Sequence, residues 1–432
     1  MTSRHAYIVY RSPSKLSSCR RLKSAVVDMM LSRVLLLGAV LISETYAYTL
    51  PVVRSGIKPK RNAERAVETK TSRKAVTARD GVVTPKLVIL SMFDSEGGAW
   101  YDDTDLNILA QNITVPGLSP LFPDVHCTAT GEICQLTTGE GEINAATSVQ
   151  ALWMSGYFDL ALSYFLVAGI AGVNPHIATT GSVTFARYAV QFDLQYEFSE
   201  SQVPSNDTSG WFPQDADYPD EAYPRDYPGE IYGTEAFELN DNLKKRAVYL
   251  AGLATLNDTP EAQAYRDTYG YAPANQPPTV VECDTGTSNN YWSGSVLGAA
   301  YSAYTSLLTN GSGVYCTTQQ EDNATLEALL RGTLAGKLDF SRIIIMRTCS
   351  DLDRAPAGES EVFHLLYADQ EGFGPSIANI YLAGIEIVKD VLLYWDEVYA
   401  GGIKPGNYIG DLFNSLGSEI APDIGTEAIY IT

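Results

Sequence analysis

Histidine and cysteine are scarce in this chain, which has four His and six Cys among 432 residues. The sequence contains no C-x-x-C pair and no cluster of histidines, so the ligand spacing that typically holds zinc is missing. We therefore expect no metal site and no bound cofactor. One of the cysteines, Cys19, lies near the N-terminus, which leaves five for the rest of the chain.

Positive charge is scarce beyond residue 80. Residues 81–432 hold 14 Lys and Arg against 46 Asp and Glu, whereas residues 1–80 hold 16 against 5. An acidic body of this kind repels the phosphate backbone of DNA or RNA, because that backbone is itself a dense array of negative charges. The composition therefore excludes nucleic acid as the default partner and fits a neutral ligand or an extracellular setting.

Long apolar runs are also missing, so the sequence predicts no multi-span membrane domain. The run 34–42 is much shorter than the roughly 20 residues that cross a bilayer as a helix. Residues 152–173 are mostly apolar, but they include Asp159, and an Asp near the middle of a membrane costs about 3 kcal/mol. This segment divides better into a helix, a turn and a buried strand of a water-soluble core.

The N-terminal region has the pattern of a secretory signal. Arg33 precedes the apolar run, and Thr45 and Ala47 stand at the small-residue positions of a cleavage site. We interpret residues 1–47 as a signal segment whose first part, 1–28, can be an extension of the gene model. An uncleaved signal anchor is the alternative.

Residues 48–82 are basic and polar without apolar periodicity, which is typical of a disordered leader or propeptide. Five N-x-[ST] sequons follow, and with the signal they predict a glycoprotein that is secreted or held at the cell wall or surface. In an oxidising compartment two disulfides are plausible, and Cys349 is expected to be a buried free thiol. The sequons are at Asn112, Asn206, Asn257, Asn310 and Asn323, and the candidate pairs are Cys127 with Cys134 and Cys283 with Cys316.

Residues 83–432 alternate predicted strands with predicted helices, which indicates one α/β domain. The strongest strand is Ile343–Thr348, and Ala378–Tyr399 reads as a long amphipathic helix. An acidic segment rich in Pro and Tyr, about 199–231, interrupts the pattern. It is a surface insertion, either a lid over a site or a solvated loop.

Glycines and acidic side chains recur where predicted strands end, which is the usual place for a site in open α/β sheets. The segment Ile89–Trp100 runs from a strand into a turn with Asp94 and Glu96, and a carboxylate there can act as a general base on water. Glycine-rich segments follow at 137–148 and 166–175, where the backbone can approach a ligand. Turns and helix caps explain each segment equally well when it is taken alone.

Two later segments add aromatic and acidic groups. Tyr291 and Trp292 stand beside Asn290, a set that can stack on and hydrogen-bond a heteroaromatic base or can belong to the core. Ser350 and Asp351 follow the strongest strand. A carboxyl group at a strand end can have its pKa raised by burial and then donate a proton.

In this order, the segments resemble the purine nucleoside phosphorylase and nucleosidase superfamily, and more closely the fungal proteins called purine nucleoside permeases. The resemblance covers about residues 84–426 and rests on MFDSEGGAW, TTGEGEINAATS, AGIAGVNP and MRTCSDLDR. It implies a three-layer α/β/α sandwich around a twisted mixed central sheet. It also implies a purine nucleoside as the ligand.

The resemblance also implies residue roles. Asp351 is the acid that protonates purine N7 as the glycosidic bond breaks. Ser350, the residue before it, binds the purine base. Glu321 binds the ribose hydroxyls, with Asp322 as the competing choice. The aromatic residue that stacks on the base would be Tyr291 or Trp292. Asn290 beside them and the backbone at Gly139, Gly169 and Gly172 are the other candidate pocket residues.

The departures from the superfamily pattern favour hydrolysis over phosphorolysis. Phosphorylases carry an Arg and often a hydroxyl where this chain has Val167 and Ile170, and an oxyanion needs such charge-assisted donors. Nucleosidases instead activate water with a Glu after the first strand, a role that falls to Glu96. Arg187 or Arg347 could replace the missing phosphate ligand, so phosphorolysis stays open.

We therefore predict a purine nucleosidase outside the cell that serves nucleoside salvage or uptake. A non-catalytic nucleoside-binding component of uptake is the alternative from another functional class. The expected partner is a purine nucleoside, and assembly with further copies of the chain is left open.

Overall fold

The computed structural model describes residues 81–203, 209–214, 228–422 and 424. The predicted signal segment, nearly all of the leader, the sequon at Asn206 and most of the acidic insertion lie outside these residues. The strands are Leu87–Ser91 (β1), Gln111–Thr114 (β2), Asp124–Cys127 (β3), Ile133–Thr137 (β4), Tyr164–Val173 (β5), Val183–Ala186 (β6), Tyr188–Gln191 (β7), Gln195–Tyr196 (β8), Phe212–Pro213 (β9), Ala236–Glu238 (β10), Val280–Glu282 (β11), Asp284–Thr287 (β12), Tyr315–Gln319 (β13), Ile343–Leu352 (β14) and Gly410–Asp411 (β15). The α-helices are Asp94–Gly98 (α1), Glu142–Met154 (α2), Asp241–Ala251 (α3), Pro260–Arg266 (α4), Ser295–Leu308 (α5), Asp322–Leu334 (α6), Glu361–Leu366 (α7) and Phe373–Leu393 (α8).

The described chain forms one mixed sheet of 13 strands, ten of which follow the order β15-β10-β7-β12-β13-β5-β1-β4-β3-β2. The other three branch from β5: β14 pairs with β5, β6 pairs with β14, and β11 pairs with β6. Strands β4, β1, β5 and β14 run parallel to their neighbours in this group, while β13 and β6 are antiparallel to β5 and β14. Parallel neighbours need helical crossovers, and these cover both faces of the sheet.

The two faces carry two separate hydrophobic clusters. Alternate residues of β5 divide between them: Phe165 and Val167 pack on one face with apolar residues of α2 and α6. Tyr164 and Leu166 pack on the other face with residues of α3 and α8. Because strand side chains alternate between faces, this division produces three layers, and the predicted α/β/α sandwich is confirmed.

The element boundaries differ from the predicted ones mainly where a strand enters the site. The mostly apolar segment 152–173 divides into the end of α2, a turn and β5, as predicted. The sequence predicts a strand over Tyr164–Ala168 that ends at a glycine, whereas β5 continues through its glycines to Val173. The long amphipathic helix ends at Leu393, and a π-helical turn, Trp395–Tyr399, follows it.

Strand β5 changes its neighbour half-way along one edge. Residues 164–167 pair with β1, and residues 172–173 pair with β13, while β14 runs along the whole opposite edge. Residues 168–171 therefore have no strand partner on the first edge. This interruption is the feature that positions the candidate site.

Two disulfides link neighbouring parts of the sheet. Cys127 of β3 bonds to Cys134 of β4, and Cys283 bonds to Cys316 of β13. Cys349 is free and buried inside β14. Within the described residues, no helix combines the length and the apolar character needed to cross a bilayer.

One sequon prediction is wrong. The side chain of Asn323 is 1% exposed, and its Nδ2 donates a hydrogen bond to the carbonyl of Thr234 at 2.7 Å. Its Oδ1 accepts from the Thr287 hydroxyl at 2.7 Å. A glycan cannot be accommodated there, whereas Asn112, Asn257 and Asn310 are exposed.

Candidate functional site

The interrupted edge of β5 opens into a cavity of about 500 Å³. The loops after β1, β13 and β14 close around it, together with the 288–292 segment and the 364–373 segment. It brings together most of the residues that the sequence singled out. The cavity is lined by Glu96, Gly172, Asn290, Tyr291, Trp292, Glu321, Ser350 and Asp351 of the predicted set, and also by Met92, Phe93, Glu140, Ile170, Arg347, His364, Gln370 and Phe373.

Two side chains satisfy the backbone of Ile170, which has no strand partner on this edge. Glu96 Oε1 accepts a hydrogen bond from the Ile170 N–H at 2.7 Å. Arg347 Nη1 donates to the Ile170 carbonyl oxygen at 3.0 Å. Buried backbone groups need such partners, so a carboxylate and a guanidinium occupy the place of a strand.

Gly169 makes this arrangement possible. Register places Arg347 of β14 directly beside Gly169 of β5, and the guanidinium extends across the glycine to reach Ile170. A Cβ on residue 169 would lie 2.7 Å from Arg347 Nη1 and 2.7 Å from Glu96 Oε1. A side chain at residue 169 would therefore have to displace one of these two groups.

Glu96 is held as a buried carboxyl group, with a side chain that is 1% exposed. Its second oxygen, Oε2, accepts from the Met92 N–H at 2.6 Å. Burial raises the pKa of Glu96 to about 8, and the nearby Arg347 guanidinium opposes that rise. A carboxyl group whose pKa lies near neutral pH is suited to taking a proton from water.

Arg347 is paired with two acidic residues at the start of α6. Its Nη2 lies 2.6 Å from Asp322 Oδ1 and 3.2 Å from Glu321 Oε2. Gln319 Oε1 supports this corner by accepting from the backbone N–H groups of Glu321 and Asp322 at 2.6 and 2.8 Å. The guanidinium is therefore neutralised by carboxylates.

The structure separates the two candidate ribose ligands. Glu321 lines the cavity, and its Oε1 also accepts from the Gly141 N–H at 2.9 Å. Burial raises its pKa. Asp322 is fully buried behind it, among the residues that hold Arg347, so Glu321 is the one of the two that can reach a ligand.

The glycine turn before α2 reaches the same corner. Gly139 and Gly141 have φ values of +90° and +85°, which side chains rarely adopt. This turn directs the Gly141 N–H at Glu321. Gly139 itself is not among the lining residues and contributes through the shape of the turn.

Asp351 lies farther along β5 than Glu96, beside Gly172. A Cβ on Gly172 would be 3.0 Å from Asp351 Oδ2, so this glycine leaves room for the carboxyl group. The Ser350 hydroxyl donates to Asp351 Oδ1 at 2.6 Å. Burial raises the pKa of Asp351, which the Ser350 hydrogen bond only partly offsets.

The predicted aromatic residues divide between the mouth of the cavity and the core. Tyr291 is 76% exposed and lines the cavity mouth. Trp292 is mostly buried, donates from Nε1 to the Thr318 hydroxyl at 3.1 Å and packs edge-on against Tyr301. It lines the cavity but is only 9% exposed, so the core interpretation describes most of this side chain. Asn290 is exposed at the rim.

Sequence reasoning missed several lining residues. Phe93 and Phe373 form an aromatic pair with ring centroids 6.3 Å apart, although their positions lie 280 residues apart in the chain. His364 and Gln370 come from a segment with no recognisable motif. The sequence suggests Arg347 only as a phosphate ligand, whereas the structure places it on the same strand as Asp351 and in the lining of the same cavity.

Acidic side chains outnumber basic ones among the residues that line the cavity. Among the described residues that line the cavity, Arg347 is the only Arg or Lys, and it is already paired. Arg187, the other proposed phosphate ligand, is bound by Glu238 through Nε at 2.9 Å and does not line the cavity. Within the described chain, no group of three His, Cys, Asp or Glu is arranged to hold a metal ion.

Comparison with known families gives a match over most of the chain. Residues 84–404 match the family model described as purine nucleoside permease. A purine nucleoside permease of Candida albicans is 44% identical over 353 residues, covering 80% of this chain and 84% of the relative. A probable purine nucleoside permease of Schizosaccharomyces pombe is 40% identical over 320 residues, covering 73% and 91%.

Solved structures with a similar arrangement include two bacterial enzymes. One is a 5′-methylthioadenosine/S-adenosylhomocysteine nucleosidase from Neisseria meningitidis, with 12% identity, a TM-score of 0.41 and coverage of 72% of this chain and 100% of that one. The other is a futalosine hydrolase of Helicobacter pylori, with 11% identity, a TM-score of 0.39 and coverage of 71% and 98%.

Proposed function

The chain belongs to the purine nucleoside permease family, and from this premise we propose that it binds purine nucleosides and hydrolyses their N-glycosidic bond outside the cell. One observation carries the proposal. Asp351 and Glu96, two carboxyl groups whose pKa values are raised by burial, line the same cavity. A protonated acid and a base near neutral pH are the two groups that such a hydrolysis needs.

Asp351 acts on the leaving group. A purine anion is a poor leaving group, and a proton delivered to N7 as the bond breaks removes its charge. A carboxyl group with a raised pKa retains that proton at a pH where an ordinary Asp has lost it. Proton donation of this kind contributes about 10²- to 10⁴-fold to a rate.

Glu96 acts on water. Its two oxygens are oriented by the N–H groups of Met92 and Ile170, and each retains a second lone pair. The β5 residues next to the two carboxyl groups, Ile170 and Gly172, are two positions apart, or about 7 Å along a strand. In the proposed step, the sugar carbon and the attacking water lie between the base and the acid.

Glu321 orients the sugar between these two groups. Its carboxylate is fixed by the Gly141 N–H and by Arg347, and it faces the cavity. A carboxylate can accept hydrogen bonds from both hydroxyls of a ribose diol. Holding the sugar in this way turns the attack of water into a step between pre-positioned groups.

The charge of the cavity supports hydrolysis over phosphorolysis. Phosphate carries negative charge and needs unpaired donors such as a free guanidinium. Arg347 is shared between Asp322 and Glu321, and acidic side chains such as Glu140 and Asp369 add to the negative lining. Water is neutral and requires only one base.

The names of the relatives favour a second candidate. Proteins called permeases suggest that the same cavity binds nucleosides for uptake without cleaving them. In that case Asp351 and Glu96 would be ligands of the base and sugar. The signal-like segment and the exposed sequons at Asn112, Asn257 and Asn310 support an extracellular setting for either candidate.

The test uses purified full-length protein with inosine, adenosine or guanosine, each with and without phosphate. We expect free base and ribose, at a rate that does not depend on phosphate. Ribose 1-phosphate as the product would replace hydrolysis by phosphorolysis. Saturable nucleoside binding without any release of base would support the non-catalytic binder.

A further inference from the structure

The loop after α7 places the side chain of Gln370 next to Asp351. Gln370 Oε1 accepts a hydrogen bond at 2.7 Å from the backbone N–H of Leu352, the residue that follows Asp351. Both Gln370 and Asp351 line the cavity. Because an N–H group can only donate, this contact fixes which end of the amide is oxygen, and the Nε2 amino group is the end left for other contacts.

His364 restricts what that amino group can bind within the protein. His364 Nε2 lies 2.7 Å from the Leu352 carbonyl oxygen and 3.3 Å from Gln370 Nε2. A carbonyl oxygen can only accept, so the imidazole Nε2 carries a hydrogen and cannot accept one from Gln370. Within the described residues, the Gln370 amino group is therefore a donor without an acceptor.

The loop that carries Gln370 is held firmly against the end of β14. Gly372 packs on the Ser350 carbonyl so closely that a Cβ at residue 372 would overlap that oxygen. The Tyr265 hydroxyl lies 2.9 Å from His364 Nδ1 and fixes the imidazole from its other side. These contacts fix the position of the Gln370 amino group. Because the side chain is half-buried in the cavity, a bound ligand can supply the missing acceptor.

We propose that Gln370 recognises position 6 of the purine and selects 6-oxopurine nucleosides, such as inosine and guanosine, over 6-aminopurine nucleosides. This inference rests on the proposed function, in which the proton of Asp351 goes to N7. N7 and the group at position 6 lie side by side on one edge of a purine, and guanine presents two acceptors there, N7 and O6. A protonated Asp351 and the Gln370 amino group are two donors that match this edge.

Adenosine presents the opposite pattern beside N7. Its 6-amino group is a donor, and it would face the Gln370 amino group with neither finding a partner. Leaving polar groups unpaired in a closed site is unfavourable, and sites built to hydrogen-bond one group discriminate strongly against an analogue that lacks it. We therefore expect inosine to have the higher kcat/KM by about tenfold or more.

The sharpest test is Gln370→Glu, which keeps the size of the side chain and the oxygen that accepts from Leu352. It replaces the donor with an acceptor, so the preference should reverse towards adenosine. Gln370→Leu removes both functions and should bring the two nucleosides to within a few-fold of each other. Purine riboside, which has only hydrogen at position 6, measures the general effect of each substitution, including added charge near Asp351.

Equilibrium binding of hypoxanthine and adenine separates this inference from the proposed function, because it needs no turnover. If no nucleoside is cleaved but the substitutions still change the ratio of the two base affinities, hydrolysis is wrong and the role of Gln370 stands. If nucleosides are cleaved and neither ratio changes in either variant, the role of Gln370 is overturned. Far-UV circular dichroism and thermal unfolding verify that both variants are folded.

Discussion

Arg347 passes directly over Gly169, and a Cβ on that glycine would lie 2.7 Å from Arg347 Nη1. This contact lets a side chain from β14 cross β5 and reach the backbone of Ile170 on the far edge. There the guanidinium lies near Glu96 and lowers the pKa of that carboxyl group against the larger effect of burial. The balance between these two effects sets the pKa of this fully buried glutamate at about 8.

Gly169→Ala tests this crossing directly. The added methyl group must displace Arg347 and Glu96, so we expect kcat/KM to fall on the order of 100-fold, as for other small misplacements of catalytic groups. Stability should fall by about 1–3 kcal/mol because the site is overpacked. Gly401→Ala is the matched control, since a Cβ there meets nothing within 4 Å. Full activity of the Gly169 variant would mean that the crossing is not required.

Asp351→Asn should remove base release and leave nucleoside binding largely intact. The amide preserves the shape of the side chain but cannot supply a proton to N7. We expect kcat to fall about 10²- to 10⁴-fold, or about 3–5 kcal/mol of transition-state stabilisation. Asp105→Asn, at an exposed position outside the cavity, is the surface control. Normal turnover by the Asp351 variant would assign the acid to another residue.

Glu96→Gln should change how activity depends on pH. The base must be ionised to activate water, so kcat/KM of the parent protein should rise as pH rises towards about 8, the pKa of Glu96. The amide cannot ionise, so the variant should be slow and should lack this rise. A pH profile of inosine cleavage measures both. If the rise survives the substitution, another group is the base.

Stability gives an independent reading of the same pKa. Between the ordinary value of 4.5 and about 8, folded Glu96 binds a proton that the unfolded chain has released. Stability therefore falls as pH rises through this range. Glu96→Gln removes the effect, so its free energy of unfolding relative to the parent should increase from pH 6 to pH 9, as measured by urea unfolding. Parallel curves for the two proteins would contradict the raised pKa.

Glu321→Gln and Asp322→Asn should have different consequences although the residues are adjacent. Glu321 faces the cavity, so its substitution should lower kcat/KM with a smaller change in stability. Asp322 is fully buried against Arg347, and weakening a buried ion pair destabilises a protein on the order of 3 kcal/mol. Kinetics and urea unfolding of both variants provide the comparison. An Asp322 variant with normal stability and impaired ribose binding would reverse the assignment.

Much of the fold could be read from the chain because it depends on local patterns. Short continuous apolar runs predict strands that are buried on both faces, and the predicted strand Ile343–Thr348 forms the first part of β14. The order of motifs identified the family. The sequons show the limit of this reading, since Asn323 has the same three-residue pattern as the others and lies in the core.

The sequence by itself determined which chemical groups stand at strand ends, including Glu96, Glu321 and Asp351, because strand and turn patterns act over a few residues. Only the tertiary structure decided how these groups meet. Strand register and contacts between distant segments produce three features: the change of neighbour along β5, the passage of Arg347 over Gly169, and the Gln370 amino group that has no acceptor within the described residues. Register is set by packing of the whole sheet against its helices, and no local pattern in the chain contains it.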